Sequence, residues 1–205
     1  LIEGGDTTTK TNYITTSSGG ILTLLNENFE SNSLATNGWT VENPDNSFTW
    51  QIYSTAGNTS GTKSAGINLF DYITQGQRDR LVSKTLDLSN VSNTTLSFKH
   101  AHRRYAQSGQ SPANRDSLIV YISINGGTSW NRLLSAGENG QGSFATNSSI
   151  NVAFTPQIAD DWCYSGTTGA PCFNLNLSAY DGQSNVKIRF ESVNDYGNYI
   201  YLDDI

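Results

Sequence analysis

The feature that most constrains this chain is a succession of short β-type segments separated by Gly, Asn, Ser and Thr. The segments are rich in β-branched and aromatic residues, which suit a pleated, half-buried surface, and the residues between them favour turns. No stretch of the 205 residues keeps helical 3.6-residue spacing over three turns. The pattern predicts an all-β domain with antiparallel sheets, and we expect a jelly-roll β-sandwich. Strands are expected in GWTVEN, TWQIYS, KSAGINLF, DRLVSKTLDLS, TTLSFKHAHRRY, DSLIVYISINGGTSWNRLL, SINVAFTP, FNLNLSAY, NVKIRFESV and NYIYLDDI.

The clearest local prediction is a hairpin in IVYISINGGTSW. Residues 119–124 alternate in the period of a strand, and Asn125, Gly126 and Gly127 tolerate the positive φ that a tight hairpin needs. We interpret this hairpin as structural.

A domain boundary is expected near residues 17–20. TKTNYITT (9–16) alternates like a strand, SSGG (17–20) interrupts it, and ILTLLNENFES begins a new strand. We therefore predict the end of a preceding domain or a linker in residues 1–16, a linker in 17–20 and the main domain in 21–205. The opening LIEGGDTTTKT is typical of the middle of a longer protein, so the chain is expected to be a fragment.

Charge and hydropathy exclude two classes of partner. The net charge of -6 argues against nucleic acid, because phosphate binding needs clustered Lys and Arg. No window of about 18 apolar residues is present, so no segment is expected to span a membrane.

The two cysteines, Cys163 and Cys172, enclose a loop rich in Gly, Pro and Thr. Zinc would want four ligands at tighter spacing, and a CxxC redox motif is absent. A disulfide that closes the loop in an oxidising compartment is therefore favoured over a metal or redox role.

The chain ends with two adjacent carboxylates. Alternation places Asp204 on the face of Ile200 and Leu202, and Asp203 on the opposite face. A carboxylate among core residues costs several kcal/mol unless it is paired, protonated or bound to a metal. A solvated strand end, or a carboxylate that accepts backbone N–H groups, is an equally good interpretation of this strand alone.

A second group of oxygen ligands lies near the start of the main domain, and we expect it to meet the last strand because chain ends tend to lie close together. Carboxylates and amides with no His or Cys among them favour Ca²⁺, although the spacing matches no EF-hand loop. The residues of this group are Glu27, Glu30, Glu42, Asp45 and Asn46.

Five stretches, taken in order, resemble one family over nearly the whole chain after residue 20. They are NENFES, GWTVENPDNSFTW, RLVSKTLDLS, LIVYISINGGTSW and VKIRFESVNDYGNYIYLDDI. Together they look like the MAM-like or cleaved-adhesin jelly roll, also called a choice-of-anchor J domain. Such modules occur in secreted bacterial proteins, including gingipain-type adhesin regions and cytophagalysin-type zinc metalloproteases. The resemblance implies a secreted or cell-surface module of a multidomain protein.

The resemblance also implies a calcium site and a neighbouring domain. It implies that Glu30, Asp203 and Asp204 surround a structural Ca²⁺, helped by Asp45 and Asn46 in the loop before Trp50. Asn46 stands where relatives are often richer in Asp, and INGG lacks a Cys that some relatives carry, which leaves Cys163 and Cys172 to pair with each other. GGDTTTKTNYITT is similar to the final strand of a PKD-type domain, which would precede this module.

No catalytic constellation is evident in the sequence. His100 and His102 share a strand face, yet two ligands are too few for zinc, and a polar strand edge is the favoured interpretation. HExxH is absent, and GQGSFA lacks the last Gly of a nucleophile elbow. We therefore expect a noncatalytic accessory module, with an independent hydrolase as the least favoured hypothesis.

The ligand is expected to be an extracellular polysaccharide or a protein. Jelly rolls often present aromatic residues to sugars, and this chain has several aromatics beyond those a core needs. The candidates for exposed contacts are Trp162 and Tyr164 beside the disulfide loop, with Arg104 and Tyr105. Binding of a protein substrate for a linked protease is the alternative, and other domains of the same chain are expected partners.

Overall fold

The structure is a computed structural model, and it describes residues 24–55, 61–106, 115–137, 144–163 and 170–205. These residues form eleven β-strands and three single-turn 3-10 helices, at Leu34–Asn37, Ala159–Asp161 and Ser178–Tyr180. The strands are β1 (Thr40–Glu42), β2 (Gln51–Tyr53), β3 (Ser64–Ile67), β4 (Arg78–Val82), β5 (Thr95–Tyr105), β6 (Ser117–Ser123), β7 (Asn131–Gly137), β8 (Asn147–Ile150), β9 (Phe173–Asn176), β10 (Lys187–Val193) and β11 (Ile200–Asp203).

The strands form two sheets. The first has the order β1-β4-β10-β6-β7, and the second has the order β2-β3-β11-β5-β8, with β9 also paired to β5. All the strand pairs are antiparallel except β5 and β8, which are parallel. The all-β, largely antiparallel architecture expected from the sequence is confirmed.

The main core lies between the two sheets and is built from alternating strand residues. In β5, Leu96 and Phe98 are buried whereas Thr95 and Ser97 are exposed, as period-2 geometry requires. Phe98 meets Phe190 of β10 at 5.0 Å between ring centroids, which joins the two sheets. Such edge-to-face aromatic pairs are favourable beyond the area that they bury.

A second, smaller core lies on the outer side of the second sheet. It contains Ala101, Phe154, Trp162 and Tyr201, all of which are nearly inaccessible to solvent. Along β11, Ile200 and Leu202 belong to the main core whereas Tyr201 belongs to this smaller one. The strand is therefore buried on both faces, and the predicted alternation of its side chains is confirmed up to residue 203.

The β6–β7 hairpin is present with a longer connection than expected. Gly126 and Gly127 both have positive φ, at 70° and 102°, as the sequence indicates. The connection spans residues 124–130, because side chains such as Ser123 and Asn125 hydrogen-bond within it and stabilise a wider loop.

The first described residues meet the end of the chain. Glu27 and Ile205 exchange both backbone hydrogen bonds, at 3.0 and 2.9 Å. The expectation that the two ends of the main domain are neighbours is therefore confirmed. The described part of ILTLLNENFES forms this single pairing and no longer strand. The boundaries predicted at residues 16 and 20 lie outside the described residues.

Two polar expectations differ from the structure. Asp204 leaves the strand with a φ of 45° and is partly exposed, so Asp203 and not Asp204 is the buried member of the pair. His100 and His102 are fully buried in β5 and do not form a polar strand edge. In the described residues, no helix has the length and apolar character needed to cross a bilayer.

Candidate functional site

Glu30, the first expected calcium ligand, is satisfied by the protein. Its Oε1 accepts hydrogen bonds from the backbone N–H groups of Thr62 and Lys63, at 2.6 and 2.9 Å. These donors, that of Thr62 foremost, lower the pKa of Glu30 and keep it ionised. Thr62 and Lys63 immediately precede β3, whose Ala65 pairs with Leu202 of β11. Glu30 therefore lies at the end of the second sheet where β11 finishes.

The terminal aspartates lie at the same end of that sheet. Asp203 is opposite Lys99 in the register of β11 and β5, and it is buried. Asp204 lies 3.1 Å from Nζ of Lys99, and its backbone N–H donates to Asp203. An ammonium group thus stands beside the carboxylates that were expected to surround a cation.

Asp45 and Asn46 lie elsewhere. Asp45 accepts a hydrogen bond from the hydroxyl of Tyr72, a residue that follows the opposite end of β3 from Thr62. Asn46 has a positive φ of 57° in the β1–β2 loop, where Asp45 also accepts the N–H of Ser47. The structure therefore does not bring Asp45 and Asn46 together with Glu30.

Asp79 on β4 is a buried carboxylate that the sequence pattern did not single out. It is 1% exposed, and neither carboxylate oxygen makes a hydrogen bond of normal geometry with a described residue, although the hydroxyls of Thr49 and Tyr72 lie close enough to lower its pKa. The hydroxyl oxygen of Thr49 is likewise buried without a hydrogen bond of normal geometry to a described residue. Burial raises the pKa of Asp79 to about 6, and the nearby Asp45 carboxylate adds to the rise.

The Asp45–Asp79 pair is therefore an electrostatically incomplete site. A buried carboxylate is costly unless it gains a proton, a donor or a cation. Across the described ranges, no three His, Cys, Asp or Glu side chains are grouped closely enough to hold a metal ion. A cation here would rely on two carboxylates, the Thr49 hydroxyl and carbonyl or water oxygens, which is chemistry that suits Ca²⁺.

The expected ligand contacts are only partly accessible. Trp162 was expected to be exposed, but it is 1% exposed and packs in the smaller core near Tyr201. A ring without an exposed face cannot stack on a ligand, so the structure corrects this expectation. Arg104 and Tyr105 are half-buried at the end of β5, where Tyr105 packs edge-on against Phe70. Tyr164 lies outside the described residues.

The disulfide between Cys163 and Cys172 is present, as the sequence indicates, with 4.9 Å between the two Cα atoms. Cys163 donates its backbone N–H to the carbonyl of His100 on β5 at 2.9 Å. The disulfide therefore joins Cys172 to a residue that is hydrogen-bonded to β5 of the second sheet.

A group of tyrosines lies at the surface of the second sheet. Tyr53 of β2 lies edge-on to Tyr199 and Tyr201, at 5.9 and 5.5 Å between ring centroids. Tyr201 is buried, whereas Tyr53 and Tyr199 are half-buried at the surface. Gln51, which is exposed, donates a hydrogen bond from its amide to the Tyr53 hydroxyl at 2.7 Å. We call Gln51, Tyr53 and Tyr199 the tyrosine surface.

The strand beneath these rings is shaped to hold them. Gly66 of β3 lies between Gln51 and Tyr201 in the register of the sheet. A Cβ at Gly66 would come within 2.9 Å of ring carbons of both Tyr53 and Tyr201. The missing side chain allows the rings to lie against the backbone. Burial raises the pKa of both Tyr53 and Tyr199, so their hydroxyls stay protonated at neutral pH.

Comparison with solved structures identifies the architecture. No family model and no curated protein matches the sequence. The K2 cleaved adhesin domain of Lys-gingipain matches with a TM-score of 0.53 and 19% identity, covering 88% of this chain and 96% of that one. TmCBM61, solved in complex with β-1,4-galactotriose, matches with a TM-score of 0.50 and 10% identity, covering 87% and 91%. The chain has a jelly-roll β-sandwich fold.

The jelly roll positions residues that the sequence pattern could not rank. Tyr53 and Tyr199 lie 146 positions apart in the sequence and meet only because β2, β3 and β11 are consecutive in the sheet. Asp79 looks like an ordinary polar residue of RDRLV, and only its burial distinguishes it. The one signal in the sequence that could have indicated this burial is the alternation of Asp79 with Leu81 on β4.

Proposed function

We propose that this chain is a noncatalytic ligand-binding module that holds a glycan on the tyrosine surface. The observation that carries the proposal is the pair of half-buried rings of Tyr53 and Tyr199: Tyr53 packs over Gly66 and edge-on to Tyr199, and Tyr199 stacks on the buried Tyr201 at 5.8 Å. Rings that are already ordered lose little conformational entropy when a ligand binds.

The surroundings of the rings suit a sugar. Small-molecule sites combine apolar contact area with a few placed polar groups. Tyr53 and Tyr199 supply flat apolar area, and Gln51, Asn68 and Asp71 supply hydrogen-bonding groups on the neighbouring strand and loop. Asn68 donates to Asp71 at 2.8 Å, which fixes both polar groups. A neutral saccharide, with hydroxyls around a partly apolar ring, matches this mixture.

The likeness to TmCBM61 supports the proposal by analogy. That protein was solved with a bound galactotriose, and it shares the fold of this chain. Because the identity is only 10%, the residues that bind must be argued from this chain alone.

Binding to a set of neutral polysaccharides tests the proposal. In a glycan array with insoluble-polysaccharide pulldown, the unmodified chain should be retained by at least one neutral glycan. Tyr199→Ala and Tyr53→Ala should each weaken that binding by roughly tenfold, the effect of losing about 1.4 kcal/mol of contact energy. Tyr180→Ala, a half-buried tyrosine outside this surface, is the matched control. Absence of retention, or equal retention by all variants, would reject the proposal.

A protein ligand is the alternative, and the likeness to a cleaved adhesin domain favours it. A pulldown with protein fibres in place of glycans separates the two proposals. Retention on protein fibres without retention on any glycan would support the alternative.

Calcium is proposed to stabilise the module at the Asp45–Asp79 pair. The buried carboxylate of Asp79, beside the Asp45 carboxylate and without a hydrogen bond of normal geometry, is the supporting observation, because a cation would offset the cost of burying its charge. Asp45, Asp79 and Thr49 would hold the ion, whose only role here is structural. Glu30, Asp203 and Asp204 are weaker candidates, since backbone amides and Lys99 already satisfy them.

Thermal unfolding with Ca²⁺ and with EDTA tests this site. A cation that binds only the folded state raises the melting temperature, and the stabilisation grows with the logarithm of the ratio of its concentration to the dissociation constant. Calcium should stabilise the unmodified chain, and Asp79→Asn should abolish that response. Asp87→Asn, which changes an exposed carboxylate, should leave the response intact. Identical melting curves with Ca²⁺ and EDTA would contradict the calcium proposal.

The wider setting is also proposed. The disulfide suits an oxidising compartment, and we propose a secreted or cell-surface multidomain parent, a hydrolase such as a metalloprotease, with a PKD-like domain before residue 17. The complete open reading frame tests this directly, because it would contain or lack the neighbouring catalytic and PKD domains.

A further inference from the structure

The outer face of the first sheet carries a concentration of positive charge that is unusual for this chain. Five cations lie on it against two carboxylates, a net charge of +3 on a protein whose net charge is -6. The cations are Arg78, Arg80, Arg132, Lys187 and Arg189, and the carboxylates are Glu42 and Glu191. We call the five cations the arginine face.

The strand register places these side chains on one side of the sheet. Arg189 of β10 is paired with Tyr121 of β6, and Tyr121 is paired with Arg132 of β7. Glu191 is paired with Arg80 of β4. Directly paired residues share a face, so these groups form two neighbouring rows on four adjacent strands, β4, β10, β6 and β7. At about 4.8 Å per strand, the patch is roughly 15 Å wide.

A buried carboxylate orders the arginines. Glu191 has a side chain that is 3% exposed, and its two oxygens accept from Arg78 at 2.6 Å and Arg80 at 2.7 Å. Arg189 approaches the same carboxylate at 3.8 Å. Burial alone would raise the pKa of Glu191, but hydrogen bonds from Arg80 and Arg78 outweigh it and lower that pKa, so the group stays charged. Glu42 also lies 3.6 Å from Arg80, but two carboxylates cannot neutralise three guanidinium groups, which leaves excess positive charge.

Aromatic rings fix the central arginine. The guanidinium carbon of Arg189 lies 4.3 Å from the ring centroid of Tyr121 and 4.5 Å from that of Trp130. Cation–π contacts with two rings hold the guanidinium group in one orientation. Its approach to Glu191, at 3.8 Å, is longer than a normal hydrogen bond. Nε of Arg189 is buried with no hydrogen-bond partner among the residues described. The side chain of Arg189 is 14% exposed, so a ligand would meet only the exposed part of a guanidinium group that is already held in place.

We infer that the arginine face binds an acidic polysaccharide whose sugars carry carboxylate groups. Planar guanidinium groups match carboxylates in a bidentate manner, and the flat sheet face accommodates an extended polymer. Nucleic acid fits less well, because it carries one charge per roughly 1.7 Å and the rest of this acidic protein would repel it. A polymer of uronic acids carries one negative charge per sugar. A short stretch of it can therefore neutralise the net charge of +3 on this patch without contacting the acidic remainder of the protein. This site goes beyond the neutral-glycan proposal and lies on the other sheet.

Polygalacturonate and its methyl-esterified form are the matched probes, because they share a sugar and differ in charge. Affinity electrophoresis should show binding to polygalacturonate that weakens as salt rises, since exposed charge interactions are screened. Arg189→Gln should weaken this binding about tenfold, the loss expected for one charge-assisted hydrogen bond. Arg132→Gln, at an exposed position that cannot affect the core, should weaken it several-fold.

Control variants separate this inference from the neutral-glycan proposal. Lys63→Gln removes the same charge on the other sheet and should leave polygalacturonate binding unchanged. Tyr199→Ala should also leave it unchanged, even where it abolishes neutral-glycan binding. The inference would be overturned by no binding to polygalacturonate, by equal binding of the esterified polymer through the same arginines, or by Arg189→Gln and Arg132→Gln variants that bind as tightly as the unmodified chain. Tighter arginine-dependent binding of polyglutamate, dextran sulfate or single-stranded DNA would also overturn it.

Discussion

At the scale of single residues, Gly66 has the most direct bearing on the tyrosine surface. The rings of Tyr53 and Tyr201 occupy the space that a side chain at this position would need. Side chains in such a layer are closely packed, so even one added methyl group forces its neighbours to move. The tyrosine surface therefore depends on a residue that cannot touch a ligand.

Gly66→Ala should lower the free energy of unfolding by about 1–3 kcal/mol and weaken glycan binding, because the added methyl group displaces Tyr53. Urea unfolding measures the first effect. In a Tyr53→Ala background the same substitution should cost less, since one clashing ring is gone. Equal costs in both backgrounds would show that the rings do not depend on Gly66.

His100 predicts how stability responds to pH. It is fully buried between Phe98, Phe144 and Phe173, and burial lowers its pKa to about 3, with His102 adding a smaller effect. In the unfolded chain a histidine has a pKa of about 6.5, so between these two values the unfolded state binds the extra proton. Stability contributed by this group is therefore present above pH 6.5 and falls as the pH drops towards 3.

The change that tests this is His100→Phe. Urea unfolding at pH 7 and pH 4.5 should show a smaller loss of stability on acidification in the variant than in the unmodified chain. A variant that loses as much stability as the unmodified chain would place the pH dependence on other groups.

At the scale of elements, most strands were predictable and their neighbours in the sheets were not, although the strand expected in SINVAFTP overlaps β8 only at residues 149–150. TTLSFKHAHRRY and NVKIRFESV coincide with β5 and β10, because alternation and turn residues are local signals. That β11 lies between β3 and β5 depends on contacts across most of the chain, which no local pattern contains. Asp45 was recognised as a candidate ligand by its residue type, whereas its partner Asp79 needed the packing of β4 to be found.

The same limit applies to aromatic and charged residues. Trp162 looks like a surface contact in sequence because it stands beside a polar loop, and packing against the outer side of β11 buries it. Arg78, Arg80 and Arg189 are ordinary strand residues in sequence, and they form a patch only when β4 and β10 pair. The fold class could therefore be predicted from local patterns, and the binding surfaces could not.

The disulfide is predicted to stabilise the second sheet. It closes a loop with a sequence separation of 9, and a loop of that size is worth roughly 2–3 kcal/mol in the chain-entropy account. Replacing both Cys163 and Cys172 by Ser should lower the melting temperature by several degrees. Reduction with dithiothreitol should reproduce this shift in the unmodified chain and have no effect on the variant, which thermal unfolding can measure.

At the scale of the whole molecule, the two outer faces of the sandwich differ in chemistry. The second sheet presents the tyrosine surface, and the first presents the arginine face. The remaining Lys, Arg, Asp and Glu of the chain sum to a net charge of -9. An acidic protein with a basic face attracts negatively charged polymers to that face and repels them from its acidic surface. We therefore propose that the module has two separate ligand surfaces, one on each sheet.

The central claim is that Tyr53 and Tyr199 together hold a neutral glycan, and the coupling of their two substitutions is its most direct test. Affinity electrophoresis should be run on the neutral polysaccharide that best retains the unmodified chain, with both single variants, the double variant and Tyr180→Ala. We expect each single variant to bind the glycan about tenfold more weakly than the unmodified chain. The double variant should lose less affinity than the product of the two single losses, because both rings contact one ligand. Tyr180→Ala should bind as tightly as the unmodified chain. Undiminished binding by the double variant would contradict the account.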